Sequence, residues 1–252
     1  MEPILEVKGL KKVFSQHGKR DVVAVDHMSF ILNAGENLGI VGESGSGKST
    51  VAKLITRLID ATEGEIILDG QDITHLKGNA LKEAYSKIQM VFQNPVASFD
   101  PRKTLGEGIG ESLKNRGISK AEIRKQVTEL LEQCGLDESF INRYPHQVSG
   151  GQCQRAAIAR ALAVEPKIII CDEATSALDV TVQKRVIDLL ENLKESKNLS
   201  YVFICHNLAL VQQFCDKVIV MKDGRAVESG TPDEVIWHPK DSYTKMLVDS
   251  VF

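Results

Sequence analysis

Residues Gly42-Glu43-Ser44-Gly45-Ser46-Gly47-Lys48-Ser49-Thr50 follow directly on the apolar run Leu38-Gly39-Ile40-Val41. That junction constrains the chain more than any other stretch. Gly42, Gly45 and Gly47 let successive backbone N–H groups turn inward around phosphate without Cβ obstruction, and a helix starting near Lys48 adds the positive end of its dipole. Lys48 brings a mobile charge to β- and γ-phosphate oxygens, and the Ser49 hydroxyl suits the first shell of Mg2+. Ser44, Ser46 and Thr50 complete the loop. Val51, Leu54, Ile55 and Leu58 follow at helical spacing. The order strand, loop, helix is what a nucleoside triphosphate cradle requires.

The chain has 252 residues, 42% of them hydrophobic, enough for a large core without staples. Its formal net charge of −3 gives no broad positive field, so nucleic acid is a poor partner. The opening Met1-Glu2-Pro3-Ile4-Leu5-Glu6 carries acids where a secretory signal carries bases, and no apolar run approaches the roughly 20 residues that span a bilayer. The expectation is a cytosolic chain without direct membrane insertion, whose membrane role runs through a partner. Cys134, Cys153, Cys171, Cys205 and Cys215 are scattered without metal-ligand spacing and read as reduced core thiols, with a metal or Fe–S cluster as a distant alternative.

Strand patterns cover residues 4–7, 22–32, 37–41, 65–68 and 87–92. Residues 104–164 then read as helical. Ser119 and Glu122 suggest a capping box, Ile123, Val127, Leu130 and Leu131 form an apolar stripe, and Gly135 stands where a helix ends. The helix before it carries Gly106, Gly108 and Gly110, each costing about 1 kcal/mol relative to alanine, so something outside the chain is expected to order it. Strands at 167–171, 201–205 and 217–221 alternate with helices afterwards. The expected fold is an α/β P-loop NTPase: a RecA-type, mostly parallel sheet flanked by helices, with an N-terminal antiparallel β subdomain and an inserted α-helical subdomain. As one domain, residues 1–93 and 165–230 form the core with its β subdomain, 94–164 the helical insertion and 231–252 a helical tail.

Two further stretches carry chemistry. Ile168-Ile169-Ile170-Cys171-Asp172-Glu173 is a buried strand pattern ending in two carboxylates, where a parallel sheet presents its ligand crevice. Asp172 suits Mg2+ and Glu173 suits a general base for water; two acids at a helix start stabilised by its dipole are the plainer alternative. Ser149-Gly150-Gly151-Gln152 opens another helix with a capping hydroxyl and unobstructed N–H groups, a second anion site or a flexible turn.

With these motifs the chain resembles the ATPase domain of ATP-binding cassette transporters over nearly its whole length. The phosphate loop resembles Walker A, Ser149-Gly150-Gly151-Gln152 the signature sequence, and residues 168–172 the Walker B strand with Glu173 as catalytic glutamate. Gln93 resembles the Q-loop residue, which also reaches Mg2+; Ser176-Ala177-Leu178-Asp179 the D-loop; His206 the switch histidine; and Phe14 the aromatic that stacks on adenine. Val148, Cys153 and Cys205-His206-Asn207 depart mildly from the family pattern. The resemblance implies ATP and Mg2+, and a head-to-tail pair in which Ser149 and Gly151 of one cassette cap the γ-phosphate held at Lys48 of the other. His206, as a lone histidine after a strand, also reads as a structural residue, and Gln93 as a simple loop amide. His17, His27, His75, His146 and His238 show no ligand spacing and read as surface or packing residues.

Gln93-Asn94-Pro95, Ser98, Asp100-Pro101-Arg102, Thr104, His238-Pro239-Lys240 and Tyr243-Thr244 resemble the branch that imports peptides, nickel or metallophores. The absence of a cysteine-rich tail tilts the reading toward nickel or metallophores. That branch implies a second ATPase subunit, two permease subunits docking near the helix after Gln93, a solute-binding protein, and a peripheral place at the cytoplasmic membrane face. The alternative is a non-transport cassette ATPase of the repair or translation type. Repair members insert long coiled coils and translation members carry two cassettes; neither pattern occurs here.

Overall fold

A computed structural model describes residues 3–15, 21–176 and 178–250. Met1, Glu2, His17 and Ala177 lie outside the described residues. The first half runs β1 (Pro3–Phe14), β2 (Val22–Asn33), β3 (Asn37–Val41), α1 (Lys48–Ile55), β4 (Glu63–Leu68), β5 (Gln71–Asp72), α2 (Gly78–Lys87) and β6 (Ile88–Val91). Then come α3 (Leu105–Asn115), α4 (Lys120–Gln133), α5 (Gly150–Leu162), β7 (Ile168–Asp172), α6 (Val180–Lys197), β8 (Ser200–Ile204) and α7 (Leu208–Phe214). The chain continues through β9 (Lys217–Lys222), β10 (Arg225–Gly230), α8 (Pro232–Trp237) and α9 (Ser242–Asp249).

One sheet is antiparallel, in the order β2-β1-β4-β5; the other has the order β10-β9-β3-β8-β7-β6 and is parallel except for β10. Every residue of β3, β7 and β8 is buried, which is why these strands read as unbroken apolar runs. Their alternation sorts side chains onto two faces. Ile40, Ile168, Ile170, Val202 and Ile204 join the core that also holds α1 and the antiparallel sheet. Ile169, Cys171, Tyr201 and Phe203 join the opposite core with α5, α6 and α7. Each such large side chain contributes about 1.5–3 kcal/mol on burial. All five cysteines are buried, and burial pushes the thiols up, to about 12 for Cys134, Cys171 and Cys205.

The glycines of α3 have a different physical role from the one expected. They are contact points. A Cβ on Gly106 would stand 2.7 Å from Ile141 Cγ2, one on Gly108 2.7 Å from Phe99 Cδ1, and one on Gly110 2.6 Å from Ile123 Cγ2. The helix is ordered within the chain by this close approach and by a full capping box between Thr104 and Glu107. The box expected at α4 is half formed. Ser119 accepts from the Glu122 N–H, but the Glu122 carboxylate accepts from Gln126 Nε2 at 2.9 Å. Gly135, at φ 67°, takes the left-handed conformation that ends α4.

Strand order assembles one edge of the parallel sheet. β8 lies between β3 and β7, and β6 flanks β7 on its far side. Because these four strands run the same way, the segments following Val41, Val91, Asp172 and Ile204 all emerge together, at the point where a parallel sheet holds ligands.

Candidate active site

The loop leaving β3 turns back on itself through three glycines with positive φ: Gly42 at 149°, Gly45 at 85° and Gly47 at 103°. A Cβ on Gly42 would collide with the Met221 carbonyl, and one on Gly47 with the Ala24 carbonyl. At Gly45 a Cβ would meet nothing within 4 Å, so the backbone there faces open space. Gly47 is the N-cap of α1 and has no side chain to occupy the first N–H groups of that helix. Those donors are oriented as an anion cradle.

Lys48 is 4% exposed, and its ammonium donates to the carbonyls of Gly42 (2.8 Å) and Glu43 (2.7 Å). Burial lowers its affinity for the proton, opposed by the carboxylates of Glu173 and Asp172. One residue on, Ser49 Oγ donates to Asp172 Oδ1 at 2.8 Å, joining the start of α1 to the end of β7. Burial raises the Asp172 carboxyl above its ordinary value, against the Ser49 hydrogen bond.

Glu173 stands at φ 47°, a left-handed conformation that costs a non-glycine residue about 1–2 kcal/mol. Its N–H donates to the Ile204 carbonyl at 2.9 Å, fixing the backbone as it leaves the sheet. Its Oε2 accepts from Gln93 Nε2 at 2.6 Å, across the gap between β6 and β7. Ser44, Gly45, Gly47, Lys48, Ser49, Thr50, Gln93 and Glu173 line a single cleft of about 440 Å³. A larger groove of about 670 Å³, lined among others by Val7, Phe30 and Ile31, lies elsewhere and holds none of these residues.

The remaining candidates are distributed around that cleft. His206 is exposed and borders a neighbouring cavity of about 320 Å³ with Gly42 and Glu43. Ser46 is buried inside the loop. Phe14 is 40% exposed at the end of β1 opposite Val22, with Lys12 Nζ 5.1 Å from its ring centroid. Ser149 caps α5 through a reciprocal box: its Oγ accepts from the Gln152 N–H, and Gln152 Oε1 accepts from the Ser149 N–H. Gly150 is exposed, whereas Gly151 approaches Val182 of α6 too closely for a Cβ. Asp179 caps α6, its Oδ1 accepting from the Val182 N–H at 3.0 Å. Residues 149–152, Asp179 and Phe14 do not line the phosphate cleft of their own chain. His27, His75, His146 and His238 are exposed.

Helix α5 is tied to the segment that follows Gln93. Arg160 donates to the Ser98 carbonyl (2.5 Å) and hydroxyl (2.9 Å) while its guanidinium lies 4.3 Å from the Phe99 ring centroid.

This architecture is matched in known proteins. The ABC transporter family pattern covers residues 25–176. The chain is 46% identical to the oligopeptide transport ATP-binding protein OppF of Salmonella typhimurium, over 98% of this chain and 77% of that one. The chain belongs to the ABC transporter family. It is also 47% identical to the oligopeptide transport ATP-binding protein AppF of Bacillus subtilis, over 99% of this chain and 78% of that one. Among solved structures, the dimeric post-hydrolysis state of the ATP-binding cassette MJ0796 bound to ADP and Pi superposes with a TM-score of 0.83. It is 33% identical, covering 90% of this chain and 98% of that one.

Several cleft residues of this ABC cassette escaped sequence reasoning. Val22, Val23 and Ala24 from β2, with Asp223 and Gly224 from the turn after β9, form its outer wall. Val22 and Val23, 58% and 45% exposed, are the usable signal: apolar residues left uncovered at a strand start. Tyr243 of α9 also reaches the loop, accepting from the Glu43 N–H at 2.9 Å, and no local motif announces that contact.

Proposed function

We propose that this chain is the ATP-hydrolysing subunit of an ABC importer that takes up oligopeptides. It works peripherally at the cytoplasmic membrane face, beside a second ATPase subunit and beneath two permease subunits, with a solute-binding protein delivering the substrate. The observation that carries this reading is the cleft uniting Lys48, Ser49, Gln93 and Glu173 in a chain similar along almost its whole length to oligopeptide transport ATP-binding proteins. Both relatives are oligopeptide transport proteins by name, which supports peptides as the cargo ahead of nickel or metallophores. Among the described residues no helix is long and apolar enough to cross a membrane, which leaves the crossing to permeases.

The triphosphate lies along the glycine loop, its oxygens taking the free N–H groups of the loop and α1, with the Lys48 ammonium turning from its own carbonyls to the β- and γ-phosphates. Ser49 and Asp172 present hard oxygens beside one another and Gln93 lines the same cleft as Ser49, a donor set that would hold Mg2+ and whose buried Asp172 carboxylate a cation would relieve. Bound there, Mg2+ supplies positive charge to the phosphate oxygens. Glu173 takes a proton from water as the water oxygen bonds to the γ-phosphorus and the bond to the β-phosphate bridging oxygen breaks. Gln93 holds the Glu173 carboxylate, and His206 donates to a γ-phosphate oxygen.

Phe14 and the exposed Val22 provide an apolar platform for adenine. Ser149, Gly150, Gly151 and Gln152, which do not line the cleft of their own chain, serve the γ-phosphate of an opposing cassette, with Asp179 at the same interface. ATP then acts as an interface ligand, and hydrolysis releases the pair. Residues 94–164 form the permease-facing helical unit, and within it the Arg160 contact to Ser98 ties the helix that carries the γ-phosphate cap to the segment following Gln93.

Uptake of a labelled oligopeptide by cells carrying Glu173→Gln in place of the parent chain tests the reading. Loss of peptide uptake with nickel uptake unchanged is expected; undiminished peptide uptake contradicts it.

A further inference from the structure

Helix α9 lies far from the phosphate loop in sequence and touches it in space. Its N-terminus is clamped to β10, because the Glu228 carboxylate accepts from the N–H groups of Lys240 (2.9 Å) and Asp241 (3.0 Å). Asp241 Oδ1 in turn accepts from the Tyr243 N–H at 2.8 Å. Tyr243 is 4% exposed, and Lys222 Nζ of β9 lies 4.8 Å from its ring centroid. So held, its hydroxyl oxygen accepts from the Glu43 N–H at 2.9 Å.

The peptide unit joining Gly42 to Glu43 is thereby held at both of its polar groups. Its carbonyl, that of Gly42, accepts from Lys48 Nζ at 2.8 Å, and the next carbonyl, that of Glu43, accepts from Lys48 Nζ (2.7 Å) and from the Ser46 N–H (3.2 Å). Glu43 borders the cavity shared with α9 and is not among the residues lining the phosphate cleft, so its N–H is committed to the tyrosine. A rotation of this one peptide would swing the Gly42 carbonyl away from the ammonium of Lys48.

We infer that Tyr243 is a positioning residue for the phosphate loop, its hydroxyl orienting the Gly42–Glu43 peptide so that the ammonium of Lys48 is set before nucleotide arrives. The inference rests on the ATP-binding reading of the cleft. A residue acting on the loop and not on the reacting atoms stabilises bound substrate and transition state alike, so it moves KM and leaves kcat.

The test is steady-state ATPase kinetics of Tyr243→Phe in the assembled transporter, with thermal melting alongside. The variant keeps the ring, its packing and the Lys222 contact, and removes only the acceptor. KM for ATP rises roughly two- to tenfold, the range of one neutral hydrogen bond, with kcat within about twofold of the parent. Leu247→Ala, which loosens α9 from a different position, lowers the melting temperature and leaves KM near the parent value. An unchanged KM in Tyr243→Phe overturns the inference, as does an equal rise in Leu247→Ala, which would assign the effect to packing. A parent assembly without ATPase activity overturns the inference together with the reading beneath it.

Discussion

Gln93 Nε2 donates to Glu173 Oε2 at 2.6 Å, linking the segment that follows β6 to the carboxylate that follows β7. The bond spans two neighbouring parallel strands, so it depends on the strand order of the sheet and not on proximity in sequence. It holds the acid in the lining of the cleft, where the proposed mechanism has it accept a proton from water. Glu173→Gln keeps the shape and removes the acceptor. Phosphate release is expected to slow at least about a hundredfold, the scale of lost general-base assistance, while ATP titration shows retained binding.

Lys48 lines the same cleft, its charge held by two carbonyls of its own loop. Lys48→Met removes charge-assisted hydrogen bonds worth about 1.5–3 kcal/mol, so ATP binds roughly ten- to 150-fold more weakly. Fluorescent-nucleotide titration reads this directly. An affinity equal to that of the parent contradicts the proposed phosphate register.

Much of this arrangement was legible in the residues because its signals are local. The spacing of Gly42, Gly45 and Gly47 before Lys48, and the apolar run ahead of Asp172, each report a turn or a strand end without reference to the rest of the chain. Strand order is what brings the segments after β3, β6, β7 and β8 to one edge, and alternation of strands with helices implied a parallel sheet but not that order. Long-range contacts were illegible for the same reason. Tyr243 meets Glu43 through the path of α9, and the glycines of α3 looked like helix defects because the side chains they accommodate, Ile141, Phe99 and Ile123, lie on other elements.

Those glycines allow a test in which two physical terms oppose. Helix propensity favours Gly106→Ala by about 1 kcal/mol, whereas the new Cβ would stand 2.7 Å from Ile141 Cγ2 and 2.8 Å from the Ile141 carbonyl oxygen. Overpacking of this kind costs about 1–3 kcal/mol, and a backbone carbonyl cannot move aside as a flexible side chain can. A net loss of up to about 2 kcal/mol is expected in urea denaturation. A stabilised variant would show that packing does not order α3.

Asp69 joins two elements of the core, accepting from Lys167 Nζ and Lys87 Nζ at 2.8 Å each. The hydrogen bond from Lys167, then that from Lys87, holds its carboxyl below the ordinary value of 3.8. A depressed folded value means stability that is present above the unfolded value and disappears as pH falls through the folded one. Asp69→Asn is therefore expected to lower stability at about pH 7 by no more than roughly 1 kcal/mol, given the partial exposure of the site. The difference from the parent shrinks once the pH drops below 3.8, as followed by denaturant titration across that range.

The proposed mechanism requires nucleotide held between two cassettes, because residues 149–152 do not line the cleft that holds Lys48 in the same chain. The most direct measurement is a structure of the assembled transporter carrying Glu173→Gln, with Mg-ATP bound. Ser149 is expected within hydrogen-bond reach of the γ-phosphate held by the opposing cassette; a bound γ-phosphate with the Ser149 face turned away from it would contradict the account.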